Sequence, residues 1–160
     1  MWNAGALTAL GFVAAASAPF ATTFAWPAGN VLITAPVLHV VGALVATVGI
    51  VGALVAQGEM GDSWRVGVDA TEKTTLVTHG LFGWVRNPFF TFVLLSLVGL
   101  VLVLPTVISL LATAFAATGI ELQVRAVEEP YLGRVHGPAY DDYCSRTGRF
   151  LPGIGRTSIT

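Results

Sequence analysis

Two polar segments of this 160-residue chain carry residue types and spacings able to do chemistry. The first is Thr78-His79-Gly80-Leu81-Phe82-Gly83-Trp84-Val85-Arg86-Asn87-Pro88, leading into an apolar run. Pro88 suits the first turn of a helix, where its missing N–H costs nothing, and Asn87 then stands at the N-cap. Free backbone N–H groups and the Arg86 guanidinium meet at that helix start, which suits an anion. An interfacial loop whose arginine reaches toward lipid headgroups would use the same residues. The second segment, Glu121-Leu122-Gln123-Val124-Arg125-Ala126-Val127-Glu128-Glu129-Pro130-Tyr131-Leu132, spaces its acids and Arg125 three and four apart, so they share a helix face. Adjacent Glu128 and Glu129 point about 100° apart on a helix and need different partners. One can hold a ribose diol or an ammonium while the other pairs with Arg125 or Arg149; ordinary ion pairs on a solvated helix end are the alternative. Beyond them, Tyr140, Tyr143, Arg146, Arg149 and Phe150 set aromatic and guanidinium surfaces side by side, fit to wrap an adenine-bearing cofactor or to lie on a membrane.

The remaining reactive residues say less. His39 is the one strongly polar residue deep in an apolar stretch, a functional candidate unless it is a neutral imidazole bonded to a neighbouring helix. The histidines lie in unrelated segments, which argues against a metal site. The single cysteine, Cys144, forms no internal disulfide and reads as a bystander.

The elements that must position these segments follow from where the charges lie. The chain is 54% hydrophobic and 11% charged, with a mean hydropathy of +0.76; soluble domains carry roughly twice that charge. All nine acids and all eight bases fall within 59–86 or 121–156. A charge at the centre of a membrane helix costs about 2.5–3.5 kcal/mol, so the two charge-free blocks read as membrane segments and the charged stretches as water-facing. The net charge of −1 offers no basic field for nucleic acid.

These blocks predict an all-α integral-membrane protein with four transmembrane helices, at about 4–25, 31–57, 88–104 and 106–121. Residues 1–160 form one domain, with segments 58–87 and 122–160 on one side of the membrane. The N-terminal run has no preceding base, unlike a secretory leader, and reads as a retained helix. Trp26-Pro27-Ala28-Gly29-Asn30 and Pro105 supply the turns on the far side. Every Lys and Arg is on the near side, which the positive-inside rule makes cytoplasmic, with both termini. The two later apolar runs are short, so their helices are expected to continue past the membrane on the charged side. Gly42, Gly49, Gly52 and Gly99 allow close helix approach.

From 61 to 152 the chain resembles the isoprenylcysteine carboxyl methyltransferase family, within the wider group of membrane phospholipid methyltransferases. The resemblance rests on Gly61-Asp62-Ser63-Trp64-Arg65-Val66-Gly67-Val68, on the stretch from Leu76 to Pro88, and on Arg125, Glu128, Glu129, Pro130 and Leu132. It extends through Gly137, Tyr140, Tyr143, Arg146, Arg149, Phe150, Leu151 and Pro152. It departs at Asn87, where eukaryotic members have histidine, and at Phe89-Phe90, which lacks a tyrosine.

The resemblance implies an enzyme, of a bacterial inner membrane, that transfers a methyl group from S-adenosylmethionine to a lipophilic small molecule. The cytosolic loop and the helical tail would form its cofactor pocket. Arg86, Asn87 and Pro88, Glu128 and Glu129, then Tyr140, Arg146 and Arg149 would line the pocket, and the backbone of Gly80, Leu81 and Phe82 would approach the cofactor. Arg86 would bind the methionine carboxylate, and Glu128 or Glu129 the ribose or amino group. Arg86, Glu129 and His79 are the candidate catalytic residues, with His79, His136 or a glutamate as base for an amine or hydroxyl acceptor. Arg86→Ala and Glu129→Ala are expected to stay folded and lose the cofactor. An NADPH-dependent membrane reductase of the sterol-reductase type and a non-enzymatic membrane scaffold are the competing classes.

Overall fold

The computed structural model describes residues 32, 35–61 and 75–157. Within them the fold is all-helical, with isolated bridges and no strand. The expected helix at 4–25, its turn at 26–30 and residues 62–68 of the first motif lie outside the described residues.

Helix α1, Pro36–Met60, starts where its sequence dictates. A residue before proline is pushed to extended backbone, and Ala35 has φ −134° and ψ 117°. Gly61, at φ 50°, ends the helix. The buried residues of α1 are Gly42, Ala46, Gly49, Ala53 and Ala56, a stripe of small side chains three and four apart. Its other faces expose Val37, Val40, Leu44, Val48 and Leu54. His39 also stands on an exposed face. A helix apolar on every side, with one small-residue stripe, suits a lipid environment and one close neighbour.

That neighbour is α2, Pro88–Val103. A Cβ at Gly42 would lie 2.7 Å from the Gly99 carbonyl oxygen, and one at Gly99 would collide with the backbone of Ala46. Cβ atoms at Gly49 and Gly52 would strike Ser96 and Phe92. These glycines therefore serve packing, the close helix approach expected of them. Gly99→Leu should force the two helices apart, costing about 1–3 kcal/mol and lowering the melting temperature in detergent. Gly58→Leu, at a position with open space around it, should not produce that loss.

Past the turn at Leu104 and Pro105, Thr106 and Ser109 form a reciprocal capping box that opens α3, Val107–Gln123. The Leu32 N–H donates to the Pro105 carbonyl at 2.8 Å. After α3 come a π-helical turn, Val124–Glu128, and α4, Glu129–His136, in one continuous helix of 30 residues. Pro130 accounts for the π turn. It cannot donate to the Ala126 carbonyl and its ring would crowd that group, so the helix widens and the Glu129 N–H reaches back to Val124.

Only the second short apolar run therefore continues past its uncharged part, which ends at Ile120. α2 does not extend at its charged end, because a proline inside the helix would forfeit a hydrogen bond. Pro36–Met60 and Val107–His136 are long and apolar enough to cross a membrane. Helix α5, Pro138–Arg146, follows, and residues 147–157 fold back without helix.

Candidate active site

Three stretches of chain converge on Arg86. The main chain before α2 runs beside the tail: the Arg86 N–H donates to the Gly148 carbonyl at 2.7 Å and the Asn87 N–H to that of Arg149 at 3.1 Å. Gly148 is required there, because a Cβ would collide with the Leu151 carbonyl oxygen. The Arg86 side chain is 2% exposed. Its Nη2 donates to Glu129 Oε1 and to the Gly155 carbonyl, both at 2.9 Å. Its Nη1 donates to the Cys144 carbonyl and the Thr157 hydroxyl, both at 3.3 Å. Nε is buried with no hydrogen-bond partner among the described residues.

Arg149 grips the same carboxylate with both ends of its fork, Nε to Oε1 at 2.7 Å and Nη2 to Oε2 at 2.9 Å. These bonds to Glu129 hold the guanidinium above its ordinary pKa, against the opposing effect of burial. Two guanidiniums around one carboxylate leave this core with a net positive charge. The π turn sets Glu129 there and turns Glu128 elsewhere. Glu128, two turns beyond the uncharged part of its helix, is partly buried and outside this cluster. Burial pushes its carboxyl up to about 7, a hydrogen bond from Gln123 opposes that, and the charge of Glu129 adds to it.

Beside this core, Gly80–Gly83 forms a 3-10 turn. Gly80 takes φ 57°, and a Cβ on it would lie 2.5 Å from both Glu59 carboxylate oxygens. Glu59 Oε2 accepts from the Leu81 N–H at 2.8 Å, while the Tyr143 hydroxyl donates to the Phe82 carbonyl at 2.6 Å. Burial raises the Tyr143 phenol, with the Arg86 charge opposing, so it keeps the proton it donates. The turn is thus held by an acceptor from α1 and a donor from α5. Tyr140 is buried against Tyr143, with ring centroids 6.3 Å apart, and burial raises its phenol as well. Cys144 is buried, and desolvation raises its thiol.

The structure brings together Arg86, Asn87, Pro88, Glu129, Tyr140 and Arg149. Asn87 stands at the N-cap position, but its side chain does not cap α2; Nδ2 donates to the Arg149 carbonyl at 3.3 Å instead. Gly80, Leu81 and Phe82 form the adjoining turn. Arg146 lies apart, exposed and paired with Asp142 at 2.6 Å, and His79 is exposed ahead of the turn. Arg125 pairs with Glu121, leaving Glu129 to Arg149 and Arg86.

Sequence reasoning overlooked Glu59 and the tail residues Gly155 and Thr157. Glu59 had a readable signal: a carboxylate in the last turn of a helix opposes the helix dipole and calls for a partner elsewhere. Gly155 and Thr157 had none, since one acts through its backbone and the other through a common hydroxyl.

The sequence model of one family, described as phospholipid methyltransferase, matches residues 37–139, well over half the chain. The match includes Arg86, Glu128 and Glu129 and stops just short of Tyr140. No curated protein and no solved structure matches significantly.

Proposed function

Because the chain belongs to the phospholipid methyltransferase family, we propose that it transfers a methyl group from S-adenosylmethionine to a lipophilic acceptor at the membrane surface. The observation that carries this reading is the assembly of the 86–88 helix start, Glu129 and the 148–157 tail around one buried guanidinium whose Nε lacks a partner. An orphaned donor in a net positive core fits the carboxylate of a methionine moiety, and a separate partly buried acid, Glu128, fits its ribose or amino group. When bound, S-adenosylmethionine supplies an electrophilic methyl group on a positively charged sulfur.

The protein's task is then alignment and exclusion of water. Arg86 holds the carboxylate, and Glu129 and Arg149 fix the rotamer of Arg86. The Gly80–Gly83 turn, clamped by Glu59 and Tyr143, is the backbone assigned to face the cofactor, and Tyr140, buried behind it with Tyr143, is the aromatic residue assigned to its adenine side. A carboxylate acceptor needs no base. For an amine or hydroxyl, His79 and His136 are the bases to test; His136 Nε2 is buried without a partner among the described residues.

In this reading residues 1–160 are one domain with four membrane helices, the active site and both termini face the cytoplasm, and the membrane is a bacterial inner membrane. The acceptor and its lipid tail enter between the apolar helices. Incubating the purified protein with methyl-labelled S-adenosylmethionine and membrane extract, followed by lipid mass spectrometry, should show one labelled lipid class. Absence of any labelled product would reject the reading.

The pKa of Glu128 gives the reading a pH signature. Its raised value means the fold favours the neutral acid, so its contribution to stability is complete below the ordinary carboxylate range and is lost as pH rises through about 7. Cofactor binding through the ionised carboxylate has the opposite sign and should strengthen over that window. Calorimetric titrations from pH 6 to 8 should show rising affinity in the wild type and a flatter profile in Glu128→Gln.

A further inference from the structure

The tail competes for the group assigned to the cofactor. Of the four hydrogen bonds made by the Arg86 side chain, two go to the stretch 155–157, all of it exposed. The Gly155 carbonyl sits on Nη2 at 2.9 Å and the Thr157 hydroxyl on Nη1 at 3.3 Å. The stretch is otherwise tied by the Thr157 N–H to the Cys144 carbonyl at 3.2 Å. Gly153 and Gly155 both take φ 77°, a backbone that other residues rarely adopt.

A carboxylate binds a guanidinium best along one edge, through two parallel N–H···O bonds. On Arg86 the Nε–Nη2 edge is half free: Nε has no partner, and Nη2 is shared between Glu129 and the Gly155 carbonyl. A neutral carbonyl and a hydroxyl are weaker partners for a guanidinium than a carboxylate. We infer that residues 155–157 form a displaceable strap, in which the Gly155 carbonyl stands in for the cofactor's carboxylate on the Nε–Nη2 edge, the Thr157 hydroxyl on Nη1 ties the segment down, and both leave Arg86 when the cofactor binds. The strap rests on the reading of Arg86 given above and adds to it: the tail closes the site, and cofactor binding frees an exposed segment at the membrane surface.

The strap gives substitutions an unusual sign. Gly155→Ala is strained at positive φ, and its Cβ would lie 3.2 Å from Arg149 Cβ, so it loosens the strap. Thr157→Val deletes the hydroxyl at constant shape. Both should bind S-adenosylmethionine more tightly than the wild type, by about 3- to 10-fold for one lost competing hydrogen bond. Calorimetry on the full chain in detergent reads this, and hydrogen exchange of residues 155–157 should speed up when S-adenosylmethionine is added. Equal or weaker binding in both variants, or slower exchange on addition, would overturn the strap while leaving the cofactor reading intact. A wild type that does not bind S-adenosylmethionine at all would overturn both.

Discussion

Replacing Glu129 with alanine is expected to destabilise the fold strongly, not merely to weaken cofactor binding. Its carboxylate is the shared partner of two guanidiniums, Arg86 at 2% side-chain exposure and Arg149 at 10%. Removing it leaves two buried like charges facing one another. Breaking a buried pair from one side costs about 3–5 kcal/mol. Arg149 keeps a 3.6 Å contact to Glu121, which recovers little at that distance. A chain of this size should lose about 10 °C or more in apparent melting temperature. Glu129→Gln keeps an acceptor for one arginine and should fall between alanine and the wild type. This revises the expectation from sequence that Glu129→Ala stays folded. The carboxylate looked like a ligand for the cofactor, and the structure gives it two protein partners first.

Arg86→Ala should behave in the opposite way. The bidentate Arg149–Glu129 pair survives without Arg86, so the carboxylate keeps a full partner and the fold persists with a smaller loss of stability. Cofactor affinity, in contrast, should drop about 100-fold or more, the usual consequence of deleting one member of a buried charge-assisted pair. Arg86→Lys separates charge from geometry. An ammonium retains the positive charge but not the planar fork, so stability should recover more than affinity. Calorimetric titration and thermal unfolding of the two variants distinguish these effects. Equal losses of stability in Arg86→Ala and Glu129→Ala would mean that the cluster has no other role than to hold the fold.

Much of this was legible in the sequence because it depends on local chemistry. Pro88 and Pro105 fix the ends of α2, charge-free stretches mark the apolar helices, and the glycines of α1 and α2 sit where the two helices approach closely, as glycine in such a stretch allows. The pairing of Glu129 with Arg149 was one of the two options that residue type allowed. What escaped depends on longer-range geometry. The π turn ahead of Pro130 decides which of two adjacent glutamates meets the arginines, and although the proline is visible in the sequence, the rotation it imposes is not. Asn87 has the right type for a cap, yet the tail passing beside it offers a carbonyl that wins its amide. Arg146 fits the expected pocket by spacing alone, but its helix turns it outward to Asp142. Glu59 marks the limit of reading charge as topology. Its charge marks it as a residue kept out of the membrane, and it also anchors the Gly80–Gly83 turn.

In the proposed function, the cluster around Arg86 takes S-adenosylmethionine. Its most direct test is parallel calorimetric titration of the purified, detergent-solubilised chain with S-adenosylmethionine and with NADPH. Saturable, stoichiometric binding of S-adenosylmethionine, lost in Arg86→Ala, with no heat from NADPH, is the predicted result. Saturable binding of NADPH, or no binding of either, would contradict it.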